Sequence, residues 1–227
     1  MIVDLSVVVD AGTLGPPAAG SPPVSLETAF RGPGHWQSSR IAALLHTGSH
    51  VDAPLHVVAG GRPIESITVD ELCGTAIVID VHDAGEREAI DAGRLAAAAP
   101  DVPQGSIVVV RTDWTDRWWG TFPDYYTRSP FLTEDAGLWL AGLRPHAVVV
   151  DFFEEECAIT TEFSSEDFVV HRALLGNDIP IVEQATHLGA VGADPFAFRA
   201  TPVLLAGVEA APCRIWAELP GDRPGSG

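Results

Sequence analysis

Residues 46–56 read His-Thr-Gly-Ser-His-Val-Asp-Ala-Pro-Leu-His, and this stretch limits the fold more than any other. Three of the eight histidines of the chain fall inside it, with one aspartate. Gly48 and Pro54 both oppose a regular helix, so the segment is expected to be extended or looped. In extended chain, residues two apart point to the same side. His50 and Asp52 should therefore converge, with His46 returning to them across a turn at Gly48. Two imidazoles and one carboxylate leave positions open for water and substrate, the pattern of a catalytic metal rather than a structural one. His56, beyond Pro54, reads as a further ligand or as a base beside the metal-bound water.

The rest of the chain supplies mostly strands. Residues 2–9, Ile41–Leu45, Ala76–Val81, Ile107–Arg111, Ala147–Asp151, Ile179–Val182, Val203–Val208 and Arg214–Leu219 are β-branched or apolar runs of strand type. Residues 11–35, rich in Gly and Pro, read as a long irregular loop. Helices are expected at Asp91–Ala99, from the Thr133 N-cap to Leu143, and at Phe168–Leu175 before Gly176-Asn177. Helices falling between strands predict an α/β or α+β single domain with a mixed sheet. It should span residues 1–219, with 220–227 a disordered tail. No Gly-rich phosphate loop follows a strand, which disfavours a nucleotide fold.

The formal charge is −18, from 31 acidic and 13 basic residues. Such a surface repels phosphate backbones, so nucleic acid is not an expected partner. No apolar run approaches the roughly 18 residues a membrane span needs. Cys73, Cys157 and Cys213 are odd in number and lack paired spacing, as in a reduced cytoplasmic protein. The N-terminal residues lack a basic stretch followed by an apolar run, so no signal peptide is read there.

A second pair of candidates is His171 and Glu183, twelve residues apart. His171 lies on the expected helix, and Glu183 ends the apolar run 179–182. A helix followed by a returning strand can bring its two ends together. A carboxylate at the end of a buried strand needs a cation. By contrast, the acidic run Glu154-Glu155-Glu156 reads as a solvated face, the other reading being that it lines the pocket and alters the substrate. Trp114–Tyr126, with three Trp, two Tyr and a Phe, reads as a pocket wall, a subunit contact or core.

At these residues the chain resembles the cyclase family, which includes bacterial kynurenine formamidases and isatin hydrolases. The family signature is His-Thr-Gly-Thr-His-x-Asp-x-Pro-x-His, and HTGSHVDAPLH departs from it only at Ser49. Val3-Asp4-Leu5-Ser6, Arg111-Thr112-Asp113-Trp114 and the stretch HRALLGNDIPIVEQATHL resemble further family segments. The resemblance implies a compact β/α domain of the swivelling type, with a mixed barrel-like sheet flanked by helices. It implies that His46, His50 and Asp52 bind a first metal and that His56 is the catalytic histidine. It implies that His171 and Glu183 serve a second metal, with Asp52 bridging. It also implies one or two divalent ions, zinc or manganese, and a homodimer or homotetramer.

The activity so implied is metal-dependent hydrolysis of an amide or lactone-like bond in a small cyclic or aromatic substrate. The alternatives are a non-hydrolytic cyclase or dehydratase and a catalytically silent metal-binding scaffold. Two departures bear on the substrate. Leu14-Gly15-Pro16-Pro17 stands where formamidases carry Trp-Pro-Gly-Asp. Glu154 and Glu156 stand where the family commonly has Ser and Asp. Both argue against efficient kynurenine formamidase activity.

Overall fold

In the computed structural model, which describes residues 1–17, 20, 22–159 and 163–220, twelve strands and six helices alternate along the chain. The strands are β1 (Ile2–Asp4), β2 (Ser25–Arg31), β3 (Trp36–Ala42), β4 (His50–Asp52), β5 (Cys73–Asp80), β6 (Ala89–Ile90), β7 (Ile107–Arg111), β8 (Phe131–Leu132), β9 (Ala147–Val150), β10 (Ile181–Glu183), β11 (Phe196–Pro202) and β12 (Ala210–Glu218). The helices are α1 (Val69–Leu72), α2 (Ala92–Ala98), α3 (Trp114–Trp118), α4 (Asp124–Thr127), α5 (Glu134–Gly142) and α6 (Val169–Leu175).

The main sheet runs β1-β12-β11-β5-β7-β9-β10-β4, and β12 also pairs with β4. That last pairing closes seven strands into a mixed barrel, with β1 attached to β12. The β5–β7–β9–β10 segment is parallel; the pairings of β4, β11 and β12 are antiparallel. Parallel strands need crossovers, and the intervening helices supply them.

The strands β7 (IVVVR) and β9 (AVVV) show no polar alternation because both of their faces are covered. Val108, Val110, Val148 and Val150 pack with Leu95 of α2, Leu140 of α5 and Leu174 of α6. Ile107, Val109, Ala147 and Val149 point to the other side, against Val51, Val182, Phe198 and Ile215. The first set is the helix-on-sheet layer and the second is the barrel interior. Asp91 caps α2 by accepting the Arg94 amide at 2.8 Å.

Several sequence expectations are corrected. Residues 11–35 are not one irregular loop, because β2 lies within them and pairs with β3 as a separate hairpin. The strand expected at 41–45 is the end of β3 and stops at Ala42. All fourteen residues of the hairpin strands are exposed, which is why no burial alternation marked them. Residues 203–208 are not a strand. The strand is β11, which ends at Pro202, and β12 begins at Ala210, earlier than expected. The run 2–9 is regular only over 2–4, after which Ser6 makes an isolated bridge to Ala185. The tail expected at 220–227 lies, beyond Pro220, outside the described residues. Trp114, Tyr125 and Tyr126 are core: the Trp114 indole donates to the Tyr125 carbonyl at 2.8 Å. No helix among the described residues is long and apolar enough to cross a membrane.

Candidate metal centre

The His-rich segment turns at Gly48, which has φ +74°. A Cβ there would lie 2.3 Å from Val9 Cγ2, so only glycine fits this turn. Next to it, Ser49 ties three pieces of chain together. Its hydroxyl donates to the Gln184 carbonyl (2.9 Å) and accepts the Val7 amide (3.0 Å). The chain then enters β4, which lies between β10 and β12. His50 and Asp52 are two residues apart on this strand, and both are fully buried.

Register brings in the distant residues. In the β4–β10 pair, Glu183 lies opposite His50 and Ile181 opposite Asp52. Gln184, at φ 56°, then turns the chain out of the strand. Helix α6 places His171 above the same point. Its Nε2 is 3.3 Å from Asp52 Oδ2 and 3.2 Å from Glu183 Oε1. From the loop side, His46 Nδ1 is 2.9 Å from Asp52 Oδ1, and His50 Nε2 is 3.3 Å from the same oxygen. Asp52 is thus flanked by three imidazoles. His56, on the short turn Pro54–His56, has its ring centroid 4.3 Å from that of His46, tilted by 36°, and 5.3 Å from that of His171.

The ligand atoms form overlapping groups that could hold an ion: His46–Asp52–His56, His50–Asp52–Glu183 and Glu154–His171–Glu183, each within 4.8 Å. All five residues expected as ligands are brought together, with His56 beside them. His46 and His50 both approach Asp52 Oδ1, and in addition His50 lies near Glu183 and His46 near His56. Asp52 belongs to the first two groups and Glu183 to the last two. A fourth acidic group, Asp113–Asp116–Asp151, lies apart; Asp151 there is satisfied by Thr112 and the Asp113 amide.

The donor chemistry fits a divalent cation. The His50 Nδ1–H donates to the Gly48 carbonyl at 2.8 Å, which leaves the Nε2 lone pair facing Asp52. His50 Nε2 and both Asp52 oxygens are buried and make no hydrogen bond. Buried polar atoms left so are costly unless a cation satisfies them.

The electrostatics follow from this crowding. Burial alone would lower the His50 pKa, but Asp52 and Glu183 outweigh it and raise the value to about 9. Burial would raise Asp52, yet His46 and His50 hold it well below the usual carboxylate range. His56 goes the other way: burial lowers it to about 4, so it is neutral at pH 7.

Two residues the sequence assigned to a solvated face are corrected. Glu154 is 0% and Glu155 1% exposed; only Glu156 of that run faces solvent. One Glu155 oxygen accepts from the Val170 amide (2.9 Å), the His171 amide (2.8 Å) and His171 Nδ1 (2.9 Å). A readable signal existed, because this run follows an apolar strand and Phe152-Phe153, as Glu183 follows 179–182. The site opens into a cavity of about 410 Å³. Pro16, Leu44, Phe153, Phe163 and Phe168 give it an apolar wall. His46, His56, His171, Glu183 and Glu209 give it one polar side. Glu209, which the sequence did not single out, reaches His46 Nε2 at 3.4 Å.

The Cyclase family model matches residues 3–156. A kynurenine formamidase from Salinibacter ruber is 30% identical over 173 residues, 74% of each chain. A "predicted metal-dependent hydrolase" from Bacillus stearothermophilus is 26% identical, with a TM-score of 0.73 over 96% of this chain and 97% of that one. Isatin hydrolase A from Labrenzia aggregata shares the fold at 22% identity, with a TM-score of 0.79 over 96% and 93%. The chain belongs to the cyclase family, and it is an enzyme of that family of metal-dependent hydrolases.

Proposed function

We propose that this enzyme hydrolyses an amide or lactone-like bond of a small, uncharged, aromatic or cyclic substrate. The observation that carries the reading is the convergence of His46, His50 and His171 on Asp52 at the floor of an apolar cavity. His46, His50 and Asp52 are the ligands, with His171 and Glu183 in reach. These residues would hold a divalent ion, zinc or manganese, which when bound would supply Lewis acidity toward water and a substrate carbonyl.

The residues of the chain do the rest. His56, neutral because burial lowers its pKa, takes the proton from the attacking water. The imidazoles of His50 and His171 are held in one tautomer by Gly48 O and Glu155. Phe153 and Phe168 offer flat apolar faces to a ring and exclude bulk water. Among the described residues no Arg lines the cavity, and the chain has no Lys at all. With Glu183 and Glu209 on its polar side, the cavity offers a substrate carboxylate no Arg or Lys partner away from the metal and its histidines. That supports a neutral substrate over an amino acid such as N-formylkynurenine.

The proposed assembly is a homodimer or higher homo-oligomer. Phe30, Trp36 and Ile41 of the β2–β3 hairpin are 65%, 53% and 61% exposed, and a lone two-stranded hairpin is marginal in water. A second copy of the chain is the proposed cover, and a mass of one chain, 24.0 kDa, by light scattering overturns this. A cytoplasmic location is proposed from the sequence, whose three cysteines are odd in number and widely scattered.

The test is a panel of cyclic amides, lactones and N-formyl aromatics in ¹⁸O-labelled water. Metal-loaded enzyme should place one ¹⁸O in the product, and chelator-treated enzyme none. Turnover without label incorporation sinks hydrolysis in favour of a cyclase or dehydratase. Conversion of N-formylkynurenine at about 10⁴ M⁻¹s⁻¹ or above refutes the neutral-substrate reading.

A further inference from the structure

Glu154, like Asp52, is a costly side chain to bury as the described residues stand. It is fully buried, and neither carboxylate oxygen makes a hydrogen bond. The nearest nitrogen is His171 Nδ1, 3.5 Å from Oε1, but that N–H is already given to Glu155 at 2.9 Å. The segment cannot swing away. The Glu154 carbonyl accepts the Leu132 amide at 2.9 Å, and the Phe153 amide donates to Ser129 Oγ at 3.0 Å. An ionised carboxylate held in this way needs a cation.

The neighbourhood indicates which cation. Glu155 is satisfied by three N–H donors, so its charge is compensated in place. Asp52, Glu183 and Glu154 remain, three carboxylates facing imidazoles whose lone pairs are free to ligate. One divalent ion leaves this set at a net charge of −1 in a buried site. Glu154, His171 and Glu183 also form a group of their own within 4.8 Å, distinct from the two groups that contain Asp52. His171 can serve it through Nε2, since Glu155 holds its other nitrogen protonated.

We infer that Glu154 is a ligand of a second divalent cation, held with His171 and Glu183 beside the one centred on Asp52. The inference rests on the metal-dependent reading above and adds a ligand to it. A Glu at position 154 supplies a negative charge that a Ser there would lack.

The test uses the full chain, untagged, stripped by chelator and titrated with Zn²⁺ and with Mn²⁺ by calorimetry and elemental analysis. Wild type should take up two ions per chain. Glu154→Gln should keep the tighter ion and bind the second at least about 100-fold more weakly, the upper end of what loss of an outer-shell group costs. The metal-free Glu154→Gln protein should melt no lower than wild type, because neither Glu154 oxygen makes a hydrogen bond that the amide would lose. Glu154→Asp, which keeps the charge but withdraws the carboxylate by one methylene, should also lose only the second ion. Two ions bound by both variants with wild-type affinity overturn the inference. Wild type that saturates at one ion overturns it while leaving the hydrolase reading intact, and wild type that takes up none overturns both.

Discussion

Glu183 sits directly across from His50 in the antiparallel β4–β10 pair, with its carboxylate 3.8 Å from His50 Nε2. The two residues are 133 positions apart, and neither strand exceeds three residues. Their meeting is set by register alone. A slip of β4 by one residue would turn His50 and Asp52 away from Glu183 together.

The first prediction follows from that convergence. Metal-free protein should gain about 2.7 kcal/mol in the presence of a divalent ion at a hundred times its Kd. For a chain of this size that is roughly 5–11 °C in Tm. His50→Ala should abolish the gain. A thermal melt unchanged by zinc and manganese would remove the metal from the account.

His56 is expected to act on protons rather than to hold the fold. His56→Ala should retain metal, by elemental analysis, and lose kcat on the order of 10²–10⁴-fold. Loss of metal in parallel with activity would reassign it as a ligand of the His46–Asp52–His56 group.

Glu155 orients His171 without touching the cavity. Glu155→Gln keeps acceptors for the Val170 and His171 amides, so its metal-free Tm should stay near wild type. Its metal affinity should fall on the order of 10–100-fold, because a neutral amide on Nδ1–H makes His171 a less basic ligand than a carboxylate does. Glu155→Leu leaves those amides unsatisfied, and should cost about 1–3 kcal/mol of stability as well. Wild-type affinity in Glu155→Gln would leave Glu155 a purely structural cap.

A pH dependence is set away from the site. Arg62 bonds Glu71 at 2.7 Å and Asp178 at 2.8 Å, and so ties the 61–66 loop to the turn after α6. Burial would raise the Glu71 pKa, but hydrogen bonds from Arg62 and Thr68 outweigh it and lower the value below 4.5. A lowered acid adds stability above its unfolded pKa and loses it as pH falls through the folded one. Arg62→Ala should therefore cost about 0.5–1 kcal/mol at pH 7, the scale of a half-exposed pair. The gap from wild type should narrow below about pH 4.5. A gap that stays constant from pH 7 to pH 3 would assign the loss to packing instead.

The sequence by itself determined the local chemistry and the local backbone. The spacing His50-x-Asp52 put both side chains on one face of an extended segment. Gly48 fixed a turn that only glycine tolerates, Pro54 opened the short turn that carries His56, and Asp91 marked the start of α2. Such features depend on near neighbours, so they are legible in one dimension. The tertiary structure decided which distant groups joined them. Glu154 and Glu155 looked like a solvated acidic run, because charge runs usually are. Only closure of the barrel, with α6 packed over β9 and β10, buries them beside His171. The β2–β3 hairpin was illegible for the opposite reason: with all its residues exposed, no burial pattern marks its strands. The approach of Glu183 to His50 came from strand register, which forms only when β4 is clasped between β10 and β12.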